Sequence, residues 1–227
     1  MRCWLRLAFV ASLSLALSPR VASSADTNAV LTGWLAAQTN LQTWEADVVE
    51  TRTLKTLTQP LSATGHIWFA KPNRFRWQIG SPPRTIAFRD RDELWLIYPL
   101  LKRAERYPLA SRSVSQWREM LDLLESGFPR DREELASRFR ITSLSESNGS
   151  WVLALEPRAD FVRQFLKEIR VGLSTDEFSL TSDELVLSDG SRVRDQFRNA
   201  RINPELDPEL FVWKPEPSYS VTEPLKK

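Results

Sequence analysis

The 227-residue chain contains one cysteine, one histidine and seven glycines, and each scarcity removes a class of chemistry. With Cys3 as the only thiol there can be no internal disulfide and no cysteine metal site. His66 has no second histidine to share a metal with and reads as a structural or exposed residue of a strand. No glycine loop of the phosphate-cradling kind occurs, and the Gly-x-Ser-x-Gly nucleophile elbow is missing as well. Charge of one sign is also lacking. The formal net charge is +2, but three of the 31 basic residues (Arg2, Arg6 and Arg20) precede residue 26, which leaves 28 against 29 acidic residues, or −1, for the remainder. Nucleic acid, which demands a basic face or stripe, is therefore not an expected partner. Apolar runs are short throughout, and none approaches the roughly 20 residues of a membrane-spanning helix.

The longest such run, Leu7 to Leu17, follows Arg2 and Arg6 and leads through Ser18-Pro19 into the small residues Val21-Ala22-Ser23-Ser24-Ala25. This is the layout of a secretory signal peptide. Cleavage is expected after Ala25, with Ser23 as the second candidate, so that residues 1–25 are a leader and residues 26–227 a single soluble domain. Cys3 lies before the apolar run, whereas the acylated cysteine of a lipoprotein must directly follow it. Lipid anchoring is not expected.

The remainder alternates between two periods. Asp26-Thr27 or Asn28 can cap a helix whose stripe is Val30, Leu31, Trp34, Leu35 and Leu41. From Thr43 to Phe88 the period becomes two, with breaks at Gln59-Pro60, Lys71-Pro72-Asn73 and Gly80-Ser81-Pro82-Pro83. This predicts four strands whose short connections force antiparallel pairing. A strand over Glu93–Tyr98 leads to Arg103–Tyr107. Helical spacing returns over Ser111–Glu125, with Val114, Trp117, Leu121 and Leu124 on its apolar side, followed by a short charged helix over Asp131–Arg138. Strand patterns resume at Phe139–Leu144, Trp151–Glu156, Gln164–Leu173, Ser179–Leu187 and Arg192–Ile202. Pro204, Pro208, Pro215, Pro217 and Pro224 then make the C-terminal stretch an extended border. The order of elements is that of an α+β fold around one large antiparallel sheet.

Aromatic residues are abundant, with nine tryptophans and eleven phenylalanines. Ile67, Phe69, Phe75, Trp77 and Ile79 share one face if the strand pattern continues in register through Lys71-Pro72, while His66, Trp68, Arg74, Arg76 and Gln78 fall on the other, which is mostly polar apart from Trp68. Together with Ile86, Phe88 and Leu96 of the following strands, these apolar residues are candidates to line a hydrophobic cavity. On pattern alone, a hollow and a core sealed by the helices are both open. Two carboxylate groups, Asp90/Asp92/Glu93 and Asp176/Glu177/Asp183/Glu184, are the candidates for acid–base hydrolysis, and the second also for calcium binding, although its spacing matches no recognised loop. Both read more simply as Asp-rich turns.

The stretch Gly65-His66-Ile67-Trp68-Phe69-Ala70-Lys71-Pro72-Asn73-Arg74-Phe75-Arg76-Trp77 resembles the outer-membrane lipoprotein carrier family, the LolA-like proteins, in which a strand ending in a basic-Pro pair precedes a Phe-x-Trp strand. Leu94-Trp95-Leu96-Ile97-Tyr98-Pro99, Leu153-Ala154-Leu155-Glu156-Pro157 and Phe211-Val212-Trp213-Lys214-Pro215 are similar to further segments of that family. The resemblance implies an unclosed antiparallel β-barrel with a helical lid over a hydrophobic cavity, in the periplasm. It implies acyl chains of lipoproteins as cargo, an inner-membrane transporter and an outer-membrane receptor as partners, and no cofactor or catalytic group. A monomer is expected. Val114, Trp117, Leu121 and Leu124 would face the cavity from the lid. Lys71 stands where family members carry an arginine latch, and lysine lacks the bidentate fork of arginine. The alternatives are a periplasmic sensor of lipids or lipoproteins with the same fold and a carboxylate-type hydrolase.

Overall fold

The computed structural model describes residues 20–21, 24–90, 92–109, 128–147 and 149–224. One helix, α1 (Ser24–Thr39), precedes a run of strands: β2 (Thr43–Thr53), β3 (Leu61–Ala70), β4 (Arg74–Ile79), β5 (Thr85–Asp90), β6 (Glu93–Tyr98) and β7 (Arg103–Pro108). After α2 (Arg132–Arg138) come β8 (Phe139–Ser147), β9 (Ser150–Pro157), the four-residue α3 (Asp160–Arg163), β10 (Leu166–Ser174), β11 (Leu180–Leu187) and β12 (Arg192–Ile202). Two short strands, β1 (Arg20–Val21) and β13 (Ser220–Thr222), add to the edges. All belong to one sheet in the order β1-β8-β9-β10-β11-β12-β2-β3-β4-β5-β6-β7-β13.

Two meanders, β2 to β7 and β8 to β12, are thus joined along β2 and β12, where Trp44 faces Ile202 and Glu50 faces Asp195. The sheet stays open. Its edge strands are β1 and β13, and the chain between β7 and β8, the strands next to those edges, includes the expected lid residues Val114, Trp117, Leu121 and Leu124; these lie outside the described residues. Every pairing is antiparallel except that of β13 with β7, which is parallel. One large antiparallel sheet with few helices is the α+β architecture that the pattern predicts, and its unclosed, strongly curved form is the one that the resemblance implies.

Local chemistry fixes the turns and ends. Gly190 has φ +91° in the β11–β12 turn, a region that disfavours any side chain, and the preceding Asp189 accepts a hydrogen bond from the Ser191 amide at 2.8 Å. The Asp131 side chain caps α2 by accepting from the Glu134 amide at 2.7 Å. Gly65, opposite Ile79, marks a close approach of β4 to β3, because a Cβ there would sit 2.1 Å from the Gln78 carbonyl oxygen. Gly65→Ala is expected to force β3 and β4 apart and cost about 1–3 kcal/mol. A thermal melt of the variant checks this.

The two faces of the sheet have separate cores. On the concave face Val30, Leu31 and Trp34 of α1 pack with Trp44, Ile67, Phe69, Phe75, Leu153, Leu155, Ile169 and Val171. Helix α1 begins at Ser24, ahead of the expected cap, and its stripe is continued by buried Gln38, while Leu35 is only half-buried. On the convex face Ile86, Phe88, Trp95, Ile97 and Ala104 form a second cluster under Trp213 and Tyr219. The proline-bearing C-terminal stretch is more than a border: it lies across this face, with the Trp95 and Trp213 rings 5.2 Å apart and the Arg76 guanidinium donating to the Leu210 carbonyl at 3.0 Å.

Candidate functional site

The β3–β4 register sets Ile67 opposite Trp77, Phe69 opposite Phe75 and Gly65 opposite Ile79, so the aromatic row does continue through Lys71-Pro72 on one face. β5 and β6 extend it through Ala87, opposite both Trp77 and Leu96. Ile67, Phe69, Phe75 and Ile79 are buried, whereas Trp77 and Leu96 are half-buried against the same concave cluster. Ile86 and Phe88 do not belong here. They face Gln78 and Arg76 across the β4–β5 pairing and fall on the convex side, because a one-residue change of parity along a strand reverses the face.

At one mouth of the concavity is a cavity of about 410 Å³ lined by Phe69, Lys71, Pro72, Asn73, Phe128, Arg130, Glu134 and Arg138. Its apolar wall is Phe69 stacked on Phe128, centroids 4.4 Å apart, with Trp44 edge-on to Phe128 at 5.2 Å. The polar rim comes from Glu134 and Arg138 of α2, from Arg130 just before it and from the β3–β4 turn. Glu134 is gripped by the Arg130 guanidinium at 3.0 Å and amide at 2.8 Å, and by Arg138 at 2.8 Å. Lys71 donates to the Gln38 carbonyl at 2.8 Å, in the last turn of α1, where the same carbonyl accepts from the Leu41 amide at 3.2 Å and a cation is favourably placed. Its partial burial pushes the ammonium pKa below the usual lysine value. Lys71 therefore ties the mouth to α1.

Polar residues also interrupt the apolar concave face, and the sequence pattern did not reveal them. Glu105, opposite Leu96, is buried and held by Arg103 and by the Tyr107 hydroxyl at 2.7 Å. Further along, the register aligns Glu50, Asp195 and Asp183 on three neighbouring strands, and Asp183 faces Val171 of the core. Asp183 is accordingly a mid-strand residue and not the turn acid expected from its surroundings. Its neighbour Glu184 points to the other face, paired with Arg170 at 3.1 Å. Asp90/Glu93 and Asp176/Glu177 do sit at hairpin ends. His66 bonds to Asp47 at 2.9 Å beside the Trp68 ring.

Burial is the main cause that raises the Asp195 pKa, followed by the charges of Asp183 and Glu50; burial likewise raises Asp183, with Glu50 adding to it and the hydrogen bond from Asp195 opposing it. The pair holds a proton that the unfolded chain would release. Stability from the protonated pair is complete below about pH 4, the unfolded carboxyl range, and is lost as pH rises towards the folded values. Asp195 Oδ1 is buried with no hydrogen-bond partner among the described residues. Asp195→Asn removes the need for the proton and is expected to stabilise the protein by about 1–3 kcal/mol at pH 8 and by much less at pH 5. Thermal melts of both proteins across that range measure it. A wild-type melting temperature independent of pH would contradict the shared-proton pair.

The fold and site together define an unclosed half-barrel with an aromatic inner face and a basic-rimmed cavity at one mouth. The chain belongs to the LolA family, the outer membrane lipoprotein carrier proteins, whose family model matches residues 39–214. Among curated relatives, an outer-membrane lipoprotein carrier protein of Coxiella burnetii is 28% identical over 151 residues, covering 66% of each chain. One from Chromohalobacter salexigens is 34% identical over 50 residues, covering 22% of this chain and 24% of the relative. The alignments thus span from a quarter to about two thirds of these relatives. Among solved structures, an uncharacterised conserved protein of Thermus thermophilus superposes with a TM-score of 0.50 at 9% identity, covering 87% of this chain and 99% of that one. A LolA superfamily protein of Nitrosomonas europaea gives a TM-score of 0.43 at 9% identity, covering 82% and 97%.

Proposed function

We propose that this protein is a non-enzymatic periplasmic carrier that takes acyl chains of lipoproteins, or of a related lipid, against the concave face and moves them from the inner to the outer membrane. The observation that carries the reading is the Ile67/Phe69/Phe75/Trp77/Leu96 face beside a cavity, in a chain of the lipoprotein carrier family. Removing an acyl chain of about 16 carbons from water yields roughly 0.8 kcal/mol per methylene, enough to load such a face after the costs of association. Loading needs no catalytic group, and release is the harder step. Mass spectrometry of organic extracts from the natively purified protein is the test. Co-purifying acyl lipids are expected, and a protein that carries none and takes up no fluorescent fatty acid would refute the carrier.

The reading includes removal of the leader and a mature single domain starting at Asp26. In the full chain β1 pairs with β8 through Arg20 and Val21, so cleavage after Ala25 would remove that edge strand and the first two residues of α1. Intact-mass measurement of the exported protein is expected to give an unmodified N-terminus at Asp26 or within two residues of it. A lipid-modified N-terminus would contradict it.

A further inference from the structure

We propose that the cavity at the mouth is a headgroup site for an anionic amphiphile, with Lys71 as the residue that selects the charge. This rests on the carrier reading and narrows its cargo to a lipid bearing a phosphate or carboxylate next to its acyl chain. The cavity has two unlike sides. Phe69 and Phe128 offer a stacked aromatic wall continuous with the concave face, where Phe69 adjoins Phe75 across the β3–β4 pairing. Among the described residues the rim carries three cations, Lys71, Arg130 and Arg138, and one carboxylate, Glu134.

That carboxylate is already engaged by both arginines and by the Arg130 amide. Lys71 is different: among the described residues its ammonium donates to a neutral carbonyl, that of Gln38, and no carboxylate forms an ion pair with it. A partly desolvated ammonium bonded to a neutral carbonyl is costly, as burial lowering its pKa reflects, and an anion entering the cavity would reduce that cost. The volume of about 410 Å³ is sufficient for a phosphate or carboxylate head and its first methylenes, with the rest of the chain passing along the Phe69–Phe75 row.

The test is a displacement titration of a fluorescent fatty-acid probe with three single-chain lipids of equal length: lysophosphatidylglycerol, lysophosphatidylcholine and monoacylglycerol, with inorganic phosphate as a fourth competitor. The anionic lipid is expected to bind about tenfold more tightly than the neutral one, and the preference should shrink as salt rises from 0.05 to 0.5 M. Lys71→Met should abolish the preference while leaving monoacylglycerol affinity within about twofold, and Lys71→Arg should restore most of it. A thermal melt of each variant separates loss of the α1 contact from loss of the anion, since a merely structural lysine would weaken all three lipids alike. Equal affinity for the three headgroups, or an unchanged preference in Lys71→Met, overturns the headgroup site while leaving the carrier standing. Binding of none of the lipids overturns both, and displacement by phosphate alone as effective as by the anionic lipid would make this a site for a free anion instead.

Discussion

Trp77→Glu is expected to lower affinity for a fluorescent fatty acid by two orders of magnitude or more while moving the thermal midpoint by only a few degrees. Trp77 stands between Ile67 and Ala87 in the middle of the concave row and is only half-buried, so the unliganded protein can tolerate a polar group there. An acyl chain lying along Ile67, Phe69 and Phe75 would meet the new carboxylate without water or a cation to compensate it. Burying such a charge costs several kcal/mol, and each 1.4 kcal/mol is about a factor of ten in affinity. Titration and melt are read together. Retained binding at full affinity would remove this face as the cargo site, and a collapse of stability with unchanged binding of the residual folded protein would make it an ordinary core.

Trp34→Ala is expected to cost about 3–5 kcal/mol of stability, a fall of roughly 10 °C in the melting midpoint. Trp34 is fully buried, on the same side of α1 as Val30 and Leu31, against the concave cluster. Here the helix fills the concavity as permanent core, so truncation leaves a cavity that rigid strands cannot collapse. The contrast with Trp77 separates the two roles of one sheet face: α1 seals its part, and the row of Ile67, Phe69, Phe75, Trp77 and Leu96 is the part assigned to cargo. A Trp34→Ala protein as stable as the wild type but altered in lipid uptake would show that α1 is a mobile cover instead.

Much of this was legible in the residues. Period-two alternation located β2 to β12 to within a few residues, and the Lys-Pro turn followed by Phe-Arg-Trp carried the family resemblance, because strand periodicity and turn chemistry are local properties. The shared face of Ile67, Phe69, Phe75, Trp77 and Ile79 was likewise readable, since a short turn preserves parity between the strands it joins. Other features depend on contacts between distant segments. Ile86 and Phe88 look like lining residues, but the run Leu94-Trp95-Leu96-Ile97 already carries the signal of strands buried on both faces. Only the packing of Trp213 and Tyr219 shows what covers the second face. Asp183 has the local surroundings of a turn acid, yet its partner Asp195 comes from the next strand and Glu50 from a strand more than a hundred residues earlier. The same holds for Lys71, whose bond to Gln38 joins the basic-Pro turn to the end of α1. Sequence alone determined which residues face each other across a hairpin, where the chain between them is short. Tertiary structure decided which buried charges meet and which apolar face stays available, because both depend on how the two meanders join along β2 and β12.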